Sequence, residues 1–128
     1  LNSFDKEEIL DCIKDYFNAI RYKNAESILG FIDRIEKLYK SSRNEFDFHL
    51  SVIGKFIKLI SIINQSIDYD IEFEEFEELA LIINKKYDNM DHIKLIENIE
   101  KFISAIDGNA NFRLSLMNMI INSNKALN

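Results

Sequence analysis

Apolar residues recur at intervals of three and four along most of the chain, which is the spacing of one face of an α-helix. In the first such segment Ile9, Ile13, Phe17 and Ile20 share a face. Polar residues interrupt the pattern repeatedly, and the pattern predicts about six helices. Their expected ranges are residues 5–22, 25–39, 45–66, 73–87, 91–107 and a sixth segment that ends near residue 124.

The third segment is the longest and the most apolar. A stripe of apolar residues runs from Phe46 to Ile67, and Val52, Leu59 and Ile62 widen it to more than half of the helix circumference. A helix with so broad an apolar surface has to pack on more than one side. We therefore expect it to be the central helix.

Composition favours the same class of fold. The chain has 128 residues, of which 47% are hydrophobic, and it contains no proline and only three glycines. Few turn residues make a β-sandwich or β-barrel improbable, and the length is that of one domain. We expect an all-α fold in which residues 1–128 form a single compact bundle of about six helices around the long third one.

The formal net charge of −6 argues against a domain whose main task is to hold DNA or RNA. The basic residues of "RIEKLYKSSRN" have no stacking platform beside them, so we interpret them as a solvated helix end. The acidic run from Glu72 to Glu78 is interpreted as a solvated face rather than a docking site. We expect no direct contact with nucleic acid.

Candidate catalytic chemistry is sparse. Cys12 is the only cysteine, which suits a reduced, cytoplasmic setting, and its place beside an apolar stripe predicts an inert thiol. His49 and His92 are far apart, and no zinc or di-iron motif surrounds them. The longest apolar run is interrupted by Lys55 and Lys58 and is too short to span a membrane. We expect no catalytic residue, metal, cofactor, small-molecule ligand or membrane partner.

The last helical segment is unusual because Arg113 is its only charge between Phe112 and Asn124. At 100° per residue, a first apolar sector consists of Phe112, Leu116, Met119 and Ile120. A second apolar sector consists of Leu114, Met117 and Ile121. The remaining strip is neutral and consists of Ser115, Asn118 and Asn122.

Two apolar sectors and an uncharged back predict two partners, namely the domain's own core and another chain. We place Leu114 in the core. The residues assigned to an interface with another chain are Phe112, Arg113, Leu116, Met119 and Ile120. The alternative is a helix threaded through the core of a monomer. Gly108 is expected to end the fifth helix, and either Asn109 or Asn111 to cap the sixth.

The segment "NANFRLSLMNMII" resembles the C-terminal signature of bacterial clamp-loader subunits of DNA polymerase III, the delta-prime type above all. That signature reads Asn-x-Asn-Pro-x-Leu-x-Leu-Glu followed by leucines. The matching positions are Asn109, Asn111, Leu114 and Leu116. Phe112 replaces the proline and Met117 the glutamate. The order of the preceding helices, from "AIRYKNAESILG" onward, is also similar to that family.

The resemblance implies a helical collar domain, which packs beside the collar domains of the other subunits into a ring. It implies that ATPase-like modules precede the chain, so we expect a C-terminal fragment of a longer protein. The implied partners are the ATPase subunits and the delta subunit, and the implied role is scaffolding in DNA replication. The alternatives are an unrelated all-α adaptor or regulatory domain and, more remotely, a metal-dependent helical-bundle enzyme.

Overall fold

The computed structural model describes residues 5–22, 24–71 and 73–127, which form helices and the connections between them. The helices are α1 (Lys6–Tyr22), α2 (Ala25–Ser41), α3 (Arg43–Asn64), α4 (Glu74–Lys86), α5 (His92–Asp107) and α6 (Phe112–Lys125). No strand occurs in the described ranges, and the prediction of an all-α fold is confirmed. Glu72, the first residue of the acidic run, lies outside them.

Side chains at the helix starts explain most of the boundaries. Five helices begin beside a side chain whose oxygen accepts a hydrogen bond from a backbone N–H of the first turn: Asp5, Asn24, Ser42, Asp91 and Asn111. Such caps satisfy N–H groups that have no partner within the helix. Helix α4 follows Phe73, which forms no side-chain cap. The glutamates of its first turn instead stabilise this end of the helix, because their negative charge lies at the positive end of the helix dipole.

Helix α3 ends in a turn that contains a left-handed residue, Ser66, with φ 59°. The N–H of Ser66 donates to the carbonyl oxygen of Ile63 at 3.0 Å, and the N–H of Ile67 donates to that of Ile62 at 3.2 Å. This pair of bonds is a Schellman motif, in which glycine is the usual left-handed residue. The predicted end of the helix at residue 66 is therefore two residues too far.

Ser66→Gly is expected to stabilise the protein by about 0.5–1 kcal/mol, because glycine adopts positive φ without the steric cost that serine bears there. Urea denaturation of the wild type and the variant measures the difference. Ser61→Gly, within the regular part of α3, is the control and is expected to destabilise by about 0.5–1 kcal/mol. Destabilisation by Ser66→Gly would contradict the left-handed conformation.

Two aromatic clusters hold the helices together. In the first, Tyr16 contacts Phe17 and Phe31 at ring-centroid distances of 5.0 and 5.8 Å, and Phe17 contacts Phe56 at 5.8 Å. These edge-to-face pairs join α1, α2 and α3. Phe56 also meets Phe76 at 5.1 Å, which docks α4 onto α3.

The second aromatic cluster positions α6. Phe46 of α3 lies 5.0 Å from Tyr39 of α2, 6.1 Å from Phe102 of α5 and 6.1 Å from Phe112 of α6, measured between ring centroids. The start of α6 is thus anchored to three other helices. Further along its length α6 packs against α1, α2 and α5. No helix within the described residues is long and apolar enough to cross a membrane.

Candidate interaction surface

The turn between α5 and α6 determines where α6 begins. Gly108 takes the C-cap position predicted for it, with φ −90°, but the left-handed residue is Asn109, with φ 65°. The N–H groups of Asn109 and Ala110 donate to the carbonyl oxygens of Ile106 and Ala105 at 3.1 and 3.0 Å. Asparagine tolerates this conformation better than most residues. Asn109 therefore ends α5 in a second Schellman motif.

Asn111 begins α6. Its side-chain oxygen accepts a hydrogen bond from the N–H of Leu114 at 2.9 Å, so Asn111 is the N-cap of α6. Of the two candidates, the cap of α6 is Asn111 and not Asn109. The two asparagines act at opposite ends of one tight turn.

Three of the residues assigned to an interface lie in the domain's own core. Leu116, Met119 and Ile120 are buried, and Leu116 has no exposed surface. Phe112 is half-buried within the second aromatic cluster. Leu116, Met119 and Ile120 are therefore closed to a second chain in this fold, so their placement at an interface is corrected.

The prediction that Leu114 belongs to the core is wrong, because 62% of its surface is exposed. Ile121, seven residues later and so on the same side of α6, is 48% exposed. Met117 lies between them and is half-buried. The anchoring of Phe112 rotates the first apolar sector inward, and the second sector then faces outward.

Arg113 links α6 to α2. Its guanidinium lies 2.6 Å from Oε1 of Glu36 and 3.3 Å from Oδ1 of Asp33. Hydrogen bonding to Glu36, and after it to Asp33, raises the pKa of Arg113 above its ordinary value. All three side chains are close to water, so these bonds fix register more than they add stability.

The contacts of α6 also define its direction against α2. Phe112 meets Tyr39 at 4.9 Å, so α6 starts beside the later part of α2. Near its other end, Asn124 bonds the carbonyl oxygen of Ile20, which lies at the end of α1 and only five residues before α2 begins, so α6 runs antiparallel to α2. At a rise of about 1.5 Å per residue, this register places Leu29 level with the segment between Met117 and Ile121. Leu29 shares a helix side with Asp33, and 46% of its surface is exposed.

We call the surface formed by Leu29, Leu114, Met117 and Ile121 the α2–α6 face. Its members combine exposed or half-buried apolar side chains from two helices with the Arg113 ion pairs beside them. Apolar patches of this kind, bordered by polar groups, mark binding surfaces for other proteins. The α2–α6 face is therefore the candidate functional site.

The arginines of the basic segment are held by carboxylates. Arg34 bonds Asp15 through Nε at 2.8 Å. Arg43 bonds Asp47 and Asp107, both at 2.8 Å. These pairs tie α2 to α1 and α3 to α5, which is a structural use of the positive charge.

The two histidines lie in different helices, His49 in α3 and His92 at the start of α5. Nδ1 of His49 lies 2.8 Å from the main-chain carbonyl oxygen of Glu45, and Nε2 lies 3.7 Å from Oε1 of Glu8. Burial lowers the pKa of His92, at the start of α5, and Asp91 partly opposes that shift. Within the described residues no group of three or more His, Cys, Asp and Glu side chains suits a metal ion.

Cys12 is buried in α1. Burial raises the pKa of its thiol to about 12. The thiolate is the nucleophilic form of cysteine, so at neutral pH very little of the reactive species is present.

We expect native protein to react with iodoacetamide at least about 100-fold more slowly than urea-unfolded protein, because both burial and the raised pKa oppose attack. Mass spectrometry of timed, quenched samples at pH 8 measures both rates. A Cys12→Ser variant shows that no other group is alkylated. Equal rates in the two states would contradict the buried position of Cys12.

No protein-family model, curated protein or solved structure matches this chain. The candidate site is accordingly defined by the exposure and position of its side chains alone.

Proposed function

We propose that this chain is a non-catalytic helical scaffold that binds other protein subunits through the α2–α6 face. We further propose that those subunits are the ATPase and delta subunits of a DNA polymerase III clamp loader in the bacterial cytoplasm. In that setting the domain supports sliding-clamp loading by fixing one subunit within the assembly. The proposed arrangement of its helices is that of a collar domain with α3 at the centre.

The observation that carries the proposal is the outward position of Leu114 and Ile121. Exposed leucine and isoleucine on one side of a helix are costly unless another surface covers them, at about 25 cal/mol per Å² of apolar area. Leu29 is 46% exposed, and the antiparallel register of α2 and α6 places it where it extends the same apolar surface onto α2. A helical partner or a second helical domain fits such a surface.

The identity of the partner is proposed from the resemblance at the start of α6. Its matching positions divide among three roles. Asn109 and Asn111 form the turn, Leu116 fills the core, and Leu114 faces outward on the α2–α6 face. An exposed leucine at a matching position of the signature is what we expect of a residue that binds a neighbouring subunit.

Rigidity supports a scaffolding role. The second aromatic cluster fixes one end of α6, and the Arg113 ion pairs hold it against α2. At the other end, the side-chain amide of Asn124 donates a hydrogen bond to the carbonyl oxygen of Ile20 at 2.5 Å. The α2–α6 face is thus held at three points along α6.

An all-α adaptor or regulatory domain unrelated to clamp loaders is the alternative. Two observations favour it: Phe112 and Met117 stand where the clamp-loader signature has proline and glutamate, and Met117 lies on the α2–α6 face itself. An adaptor would use the same face with a different partner.

The experiment is to mix the purified chain with the ATPase subunits and the delta subunit of the same bacterium. Size-exclusion chromatography with light scattering measures the mass of the resulting species. We expect a complex of fixed stoichiometry at low micromolar concentration. If each component elutes at its own mass up to about 50 μM, roughly the weak limit for a stable assembly, the clamp-loader assignment is wrong.

A further inference from the structure

A polar groove runs between α5 and α6, on a side of α6 adjacent to the α2–α6 face. It consists of two adjoining cavities of about 210 and 560 Å³, which share Asn98, Lys101 and Asn122. The neutral strip of α6 lies in it, since Ser115, Asn118 and Asn122 all line the groove. The uncharged strip of α6 therefore forms part of the wall of a concave surface.

The floor of the groove is a buried side-chain amide. Asn98 is 2% exposed, and its Nδ2 donates to Oγ of Ser123 at 3.3 Å. Burial raises the pKa of the Tyr16 phenol, and the neighbouring Ser123 partly opposes that rise. That contact is weak, because the Tyr16 hydroxyl has no hydrogen bond of normal geometry within the described part of the chain. Ser123 is thus the polar group that holds the floor from beneath.

The rim of the groove is positively charged. Lys94, Lys101 and Lys125 line it, and neither Lys101 nor Lys125 forms an ion pair with another described residue. Glu97, four residues before Lys101, lies 3.9 Å from Lys94 instead of pairing with Lys101. One carboxylate, that of Asp91, lines the groove, and it caps α5 by accepting the N–H of Lys94. A positive rim in a chain of net charge −6 favours an acidic ligand.

The spacing of the amides matches an extended backbone. Asn118 and Asn122 are four residues apart, which is about 6.0 Å along a helix. Two residues of an extended peptide span about 6.6 Å. Each side-chain amide can donate to a carbonyl oxygen and accept from an N–H, so the two asparagines fit alternate peptide groups of one strand.

We propose that the groove between α5 and α6 binds an extended, acidic peptide segment of another protein. Asn118 and Asn122 bond its backbone, and Lys94, Lys101 and Lys125 pair with its carboxylates. This site is separate from the α2–α6 face and goes beyond the proposed function. A single-stranded nucleic acid fits less well, because the one aromatic side chain in the lining, Phe102, is buried and offers no stacking platform.

The test is an NMR titration of the ¹⁵N-labelled chain with a dodecapeptide of alternating aspartate and alanine. We expect saturable shifts centred on the side-chain amides of Asn98, Asn118 and Asn122. The double variant Lys101→Ala/Lys125→Ala is expected to weaken binding at least fivefold. Lys37→Ala/Lys40→Ala, two exposed lysines of α2, is the matched control and should change it less than twofold.

Three results would overturn the proposal. The first is no saturable shift at about 1 mM peptide, the weak end of specific binding. The second is equal weakening by the two double variants, which indicates general charge attraction. The third is that oligothymidine of twelve nucleotides shifts the same amides at lower concentration than the peptide, which assigns the groove to nucleic acid.

Discussion

Leu116→Ala is expected to lower the free energy of unfolding by about 2–5 kcal/mol, the range found when a buried leucine is truncated. The leucine has no exposed surface and lies in the core beneath α6. Its removal leaves a cavity next to side chains that the second aromatic cluster already fixes, so the site has little freedom to collapse. Urea denaturation followed by circular dichroism gives the difference.

Leu114→Ala is the matched control for this loss, since it makes the same chemical change two residues away on the same helix. Because 62% of Leu114 is exposed, its truncation is expected to change stability by no more than about 0.5 kcal/mol. Equal destabilisation by the two variants would show that α6 is rotated differently from this structure. A larger loss for Leu114→Ala would restore its assignment to the core.

Phe46→Ala is expected to cost about 3–5 kcal/mol, as is usual for a buried aromatic residue. Phe46 has no exposed surface and contacts Tyr39, Phe102 and Phe112. Its loss removes the ring at which α2, α3, α5 and α6 meet. The near-ultraviolet circular dichroism of the tyrosines should weaken as well.

Tyr22→Ala is the control for Phe46→Ala, because 48% of Tyr22 is exposed at the end of α1. It is expected to change stability by about 0.5 kcal/mol or less. If Phe46→Ala proved as mild as this control, the second aromatic cluster would not be what anchors α6.

The number and approximate ranges of the helices follow from the sequence, because apolar spacing and capping residues act locally. The cap at Asn24 and the C-cap at Gly108 were predictable for this reason. Separating Asn109 from Asn111 was not, since asparagine is favoured both at N-caps and in the left-handed conformation. Which role each takes depends on where α5 ends.

The rotation of α6 is the part of the candidate site that the sequence leaves open. The periodicity of apolar residues gives the angles between side chains around the helix axis. It does not give which side of the helix faces the core. Both sectors of α6 are apolar, so neither is marked as the inner one. The anchoring of Phe112 among Tyr39, Phe46 and Phe102, which are distant in sequence, decides it. The α5–α6 groove likewise exists only once two helices are packed.

We propose that the α2–α6 face binds the neighbouring subunits. The most direct test is the affinity of Leu114→Asp/Ile121→Asp for the clamp-loader subunits, measured by sedimentation velocity. A control with the same chemistry on another surface is Leu81→Asp/Ile82→Asp, on α4, where both residues are exposed.

We predict that Leu114→Asp/Ile121→Asp weakens binding at least about 100-fold, since burial of each such side chain contributes about 1.5–3 kcal/mol. Its stability should stay near that of the wild type, and the α4 control should bind within about twofold of it. Unchanged binding by Leu114→Asp/Ile121→Asp, or loss of binding only in the α4 control, would contradict the assignment of the α2–α6 face.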